Sequence, residues 1–151
     1  MRIWQRIRNN MKNLELQKCI LGPVYTNCYL LKNKETGELI IVDPADCPEK
    51  IEMKISRMNG KPVAILLTHG HFDHIMAVQA VKAEYQIPVY ACRQEEEMLR
   101  EPSVNMTDGC INHVLCVLMF FWRTCRYLKL LDFLFRCSTL QDTRKEAVAT
   151  I

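Results

Sequence analysis

Residues 63–74 read Val63-Ala64-Ile65-Leu66-Leu67-Thr68-His69-Gly70-His71-Phe72-Asp73-His74. An apolar run of strand length leads straight into three histidines and an aspartate, and a helical pattern follows. The chain has 4 His in all, and three of them stand in this one turn. An incidental His-rich surface loop does not account for that concentration. Imidazole nitrogen and carboxylate oxygen suit zinc, iron or manganese better than magnesium or calcium. His69 and His71 are two apart, so at an extended strand end they point the same way. Asp73 and His74 follow on the turn, so one pair can serve one metal and the second pair another. Two metals about 3.5–4 Å apart hold a bridging hydroxide that is nucleophilic at neutral pH. Gly70 lets the backbone turn between donors without a Cβ clash. No thiolate joins the cluster, which favours an open catalytic site over a closed structural one.

Working outward, the apolar run Val63–Leu67 is expected to be buried on both faces. Upstream, Leu14–Leu21 and Thr26–Lys32 read as strands joined by Gly22-Pro23. Leu39–Val42 reads as a third strand after the turn Lys34–Glu38, giving an antiparallel start. Asp46 is expected to cap a helix with Pro48 early in it and an apolar stripe of Ile51, Ile55 and Met58. Downstream, Ile75, Val78, Val81 and Tyr85 recur at helical spacing and read as core. Ile87–Ala91 reads as a strand. Gln94–Arg100 reads as a short helix, with Glu95-Glu96-Glu97 as its solvated face. His113 stands alone near an apolar segment and is not read as a ligand.

A length of 151 residues supports one domain with a real core. The net charge of +3 is weak and scattered, which argues against a nucleic-acid partner. The longest apolar run, Val114–Trp122, is too short to cross a bilayer, which takes roughly 20 residues, so no membrane partner is expected. The 8 Cys include no Cys-x-x-Cys pair, and no signal peptide is apparent. They read as reduced thiols of a cytoplasmic protein.

The motif His-x-His-x-Asp-His after a buried strand resembles that of the metallo-β-lactamase-fold hydrolases. Flanking segments agree: Gly22-Pro23-Val24-Tyr25-Thr26-Asn27-Cys28-Tyr29-Leu30-Leu31 is similar to the family's first hairpin, and Ile40-Ile41-Val42-Asp43-Pro44 to its next strand and turn. The resemblance is strongest to the glyoxalase-II-like (hydroxyacylglutathione hydrolase-like) branch and covers about residues 11–110. It implies an α+β fold, the αβ/βα sandwich of that family, with only the N-terminal half present. It also implies hydrolysis of a small-molecule thioester or ester by a metal-bound hydroxide. His69 and His71 would bind the first metal and Asp73 and His74 the second, Asp73 doubling as the catalytic group that handles the water's proton. Zn2+, up to two ions, is the expected metal, with Fe or Mn as alternatives. Asp43 is either an acceptor that orients a ligand histidine or an ordinary turn-initiating aspartate. Other branches of the fold (sulfur dioxygenase, lactonase, ribonuclease) and a non-enzymatic metal-binding fragment are the competing readings. Oligomeric state is not legible.

The tail departs from this pattern. From about residue 111 Cys, Phe, Trp, Leu and Arg crowd together without helical or strand period, and the family's later ligands do not appear. Starting each codon at the third base of the preceding one changes the picture. Arg136–Glu146 then permits Val-Leu-His-Thr-Pro-Gly-His-Thr-Lys-Gly-Ser, the family's next motif in the right order. Residues 111–151 are therefore expected to be out of frame, and the chain truncated and weakly active or inactive. Residues 1–10 read as an artefactual or flexible extension.

Overall fold

The computed structural model describes residues 13–107 in full, and beyond them only the backbone of strands at 119–122, 128–130, 133–138 and 148–150. The N-terminal extension and His113 lie outside the described residues, as does most of the tail.

The antiparallel start is as expected. β1 (Leu14–Leu21) pairs with β2 (Thr26–Asn33), and β2 with β3 (Glu38–Val42). After helix α1 (Pro48–Arg57) the sheet turns parallel, with β4 (Lys61–Leu67) beside β3 and β5 (Val89–Cys92) beside β4. β6 (Met119–Trp122) joins β5 in parallel, giving the order β1-β2-β3-β4-β5-β6. Strands β7 (Leu128–Leu130), β8 (Phe133–Ser138) and β9 (Val148–Thr150) pair antiparallel as a second sheet.

The period-2 alternation of strands explains how the central strands are buried on both sides. Leu39, Ile41, Ile65 and Leu67 pack with Ile51 and Ile55 of α1 and with Val78 and Val81 of the later helix. Ile40, Val42 and Leu66 join Leu31 on the opposite face. Each such side chain, fully removed from water, contributes roughly 1.5–3 kcal/mol. Hence Val63–Leu67 is nearly all apolar and ends abruptly where polar chemistry begins.

Three local expectations are corrected. Asp46 does not cap α1: Cys47 is the N-cap residue, in a left-handed conformation and without a side-chain cap bond. The Asp46 carboxylate accepts from the Cys47 amide instead, at 2.6 Å. The Ile75–Tyr85 pattern is not one helix but two, α2 (Phe72–Ile75) and α3 (Val78–Tyr85). The break arises because the Ala77 amide donates to the Pro44 carbonyl at 3.0 Å, which ties the helix entrance to the end of β3. Finally, the stretch over 94–100 divides into a 3-10 turn (Arg93–Glu95) and α4 (Glu96–Arg100), followed by α5 (Pro102–Asn105).

Among the described residues no helix is long and apolar enough to cross a membrane. Cys19, Cys28 and Cys47 are free thiols.

Candidate metal centre

Parallel strands deliver functional groups at their carboxyl ends, where the chain leaves the sheet. Here β3 delivers Asp43 and β4 delivers Thr68 and His69, side by side. Asp43 is buried, 3 % exposed, in a left-handed backbone conformation with φ 49°. Such strain in a non-glycine residue persists only where its surroundings enforce it. Its own amide donates to the Leu66 carbonyl at 3.0 Å, which fixes it against β4.

The Asp43 carboxylate organises the turn. Oδ1 accepts from the Thr68 amide at 2.8 Å, and Oδ2 accepts from the Thr68 hydroxyl at 2.6 Å. Oδ2 also lies 3.0 Å from His74 Nδ1. An ionised carboxylate only accepts, so the network assigns a proton to His74 Nδ1. The Thr68 hydroxyl spends its single hydrogen on Asp43. Its oxygen, 3.0 Å from His69 Nδ1, therefore accepts from that ring, and His69 keeps its lone pair on Nε2. Of the two roles open to Asp43, the geometry selects orientation of a histidine.

The three imidazoles meet. The His69 and His74 ring centroids are 3.9 Å apart, and those of His69 and His71 are 4.8 Å apart at 85°. The His69 pKa is lowered to about 4, first by burial and then by the neighbouring His74, with His71 adding to it against the carboxylates of Asp43 and Asp73. At neutral pH His69 is thus an uncharged donor. His74 Nε2 lies 3.4 Å from Asp73 Oδ2, so a cation or a proton placed there is shared by both. Asp73 is held from behind by the Thr26 hydroxyl, which donates to Oδ2 at 2.6 Å.

All four expected donors, His69, His71, Asp73 and His74, thus share one turn. Among the described residues no three His, Cys, Asp or Glu side chains already surround a point at ligand distances, so closing on an ion takes side-chain rotation. The donor chemistry fits a borderline divalent cation: three imidazoles, one of them uncharged at neutral pH, beside a carboxylate.

Sequence reading missed three supports. Thr26 and Thr68 look like ordinary strand-end threonines, and only the fold brings them to Asp73 and Asp43. Glu95 is not part of a solvated face: its Oε2 accepts from the Gly70 amide at 3.2 Å. Burial raises its pKa, opposed by that amide and by His71.

A family model described as the metallo-beta-lactamase superfamily matches residues 21–128. A probable metallo-hydrolase of Bacillus subtilis, YqgX, is 39% identical over 85 residues, 56% of this chain and 39% of that protein. A hydroxyacylglutathione hydrolase of Thermosynechococcus vestitus is 32% identical over 82 residues, 54% of this chain and 32% of that protein. Among solved structures, the BLEG-1 B3 metallo-beta-lactamase superposes with a TM-score of 0.70 at 32% identity, covering 82% of this chain and 60% of that one. The chain therefore spans 39% and 32% of the length of these two curated relatives.

Proposed function

Because the chain belongs to the metallo-beta-lactamase superfamily, we propose that it carries the first half of the metal centre of a hydrolase acting on a thioester or ester. Hydroxyacyl-glutathione is the model substrate class, supported by the glyoxalase-II-like motif and by the similarity to a hydroxyacylglutathione hydrolase. The observation that carries the reading is the meeting of three imidazoles and the Asp73 carboxylate above a buried, strained Asp43.

In this reading His69 and His71 would hold one cation and Asp73 and His74 a second, with Nδ1 of His69 and of His74 already engaged by Thr68 and Asp43. Zinc is the first expectation, with iron or manganese as alternatives. Bound cations supply polarisation of the substrate carbonyl and acidification of water. The residues do the rest. Asp43 and Thr68 hold two rings by Nδ1, which turns Nε2 of each towards the cation. Thr26 holds Asp73 so that its carboxylate can orient a water and accept its proton. Four donors on one turn make a partial centre, so metal binding by this chain is weak and turnover slight. A metal-binding fragment without turnover is the second reading, favoured by the confinement of these donors to residues 69–74.

The test loads the 151-residue chain with zinc, iron or manganese and follows hydrolysis of a hydroxyacyl-glutathione thioester, a simple ester and a lactone. Slow hydrolysis that a chelator stops and Asp73→Asn abolishes supports the enzyme. Metal binding with no turnover supports the fragment. Failure to bind any of the three metals contradicts both.

We further propose that residues 11–110 form the family domain and that residues 111–151 are an out-of-frame translation. Resequencing the coding DNA from about codon 100 onward decides this. A single base added or lost is the expected result, and an intact frame refutes it.

A further inference from the structure

Three consecutive glutamates follow β5, and they do different work. Glu96 lies at the surface between two arginines, 3.0 Å from the Arg100 guanidinium and 3.9 Å from that of Arg93. Glu97 is exposed. Glu95 turns the other way, is half-buried, and accepts from the amide of Gly70. Gly70 is the residue between His69 and His71, so this bond is made to the backbone that sets how those two rings face each other.

A second contact converges on the same residue. A Cβ at Gly70 would sit 2.9 Å from Leu99 Cγ, 3.0 Å from Leu99 Cδ2 and 3.1 Å from Met98 Cγ. Leu99 is 1 % exposed, so it is a fixed wall rather than a movable one. The turn is thus pressed onto α4 by apolar contact and pinned to the residue preceding α4 by a charge-assisted hydrogen bond. Neither contact is needed for a helix of this length to reverse the chain. A carboxylate taken partly out of water is costly unless a donor answers it, and the answering donor here is the Gly70 amide.

We propose that Glu95 is a positioning residue: by accepting from the Gly70 amide it fixes the backbone between His69 and His71 and so the relative aim of the two rings at a divalent cation. This inference rests on the metal-centre reading for its consequence, but not for its geometry. Through the hydrogen bond the backbone of the turn is preorganised, and a cation on binding has only side chains to order.

The test uses the full chain with two readouts, cobalt(II) titration followed by visible absorption, and hydrogen exchange of the Gly70 amide. Glu95→Ala is expected to speed Gly70 exchange at least tenfold, to weaken cobalt binding about 10–100-fold, the usual range for groups that orient ligands, and to change the absorption band at saturating cobalt. Glu95→Gln keeps an acceptor and is expected to restore affinity to within a few-fold. Glu97→Ala, in the helix that follows, is expected to change neither readout. If Glu95→Ala does not fold, Glu95→Asp replaces it, since one methylene less shortens the reach to Gly70 and should weaken binding relative to Glu95→Gln. Unchanged Gly70 exchange in the folded variant overturns the proposal, as does a Glu95→Gln variant no better than Glu95→Ala. If the wild-type chain binds no cobalt, the metal reading fails. The positioning claim then stands or falls on the exchange of Gly70 alone.

Discussion

Asp43 Oδ2 lies 3.0 Å from His74 Nδ1 and 2.6 Å from the Thr68 hydroxyl, so one carboxylate oxygen governs two histidines of the turn, one directly and one through a threonine. Asp43→Asn isolates this effect. Asparagine tolerates the left-handed backbone and can keep the bond to the Thr68 amide through its carbonyl. Its NH2 group then faces two donors, the His74 N–H and the Thr68 O–H. The expected result is a loss of about 10–100-fold in zinc affinity with the fold retained, measured by competition with a chromophoric chelator. Unchanged affinity would remove Asp43 from the account.

The Gly70–Leu99 contact predicts a coupled pair. Gly70→Ala adds a methyl group 2.9 Å from Leu99 Cγ and is expected to cost about 1–3 kcal/mol, as overpacking does. Leu99→Ala alone opens a cavity and costs about 2–5 kcal/mol. The double variant should cost less than the sum, because the new methyl group enters the space that Leu99 leaves. Urea denaturation of the four proteins measures the coupling, and strict additivity would mean that the turn does not rest on α4.

Thiol chemistry checks the burial of the sheet. Burial pushes the Cys28 thiol far above its ordinary pKa, helped by the facing Cys19 and by Asp43. Cys28 and Cys92 are buried, whereas Cys19 and Cys47 are only partly so. At mildly alkaline pH, alkylation mapped by peptide mass spectrometry should label Cys19 and Cys47 while Cys28 and Cys92 stay unmodified until denaturant is added. Rapid native labelling of Cys28 would show that β2 is not packed as described.

How much of this was legible in the sequence depends on whether the deciding interaction is local. The strand at 14–21 follows from alternation and that at 39–42 from its unbroken apolar run, each with turn residues beside it, and the donor turn announces itself through three histidines in one stretch. Asp46 misled because a side chain can answer the neighbouring amide as readily as the helix start. The break between α2 and α3 is invisible locally, since it depends on the Pro44 carbonyl meeting Ala77 across the sheet end. Glu95 was hidden within an acidic run whose other members do face water. Asp43 left two readings open until β3 and β4 were laid side by side.

The most direct test of the central claim, that the turn at 69–74 is a metal-binding donor set, is cobalt(II) titration of the full chain beside a His69→Ala/His71→Ala/His74→Ala variant. The account predicts a saturable visible band in the wild-type chain, displaced by zinc, and no such band in a folded triple variant. Equal binding by both proteins, or none by the wild type, would contradict it.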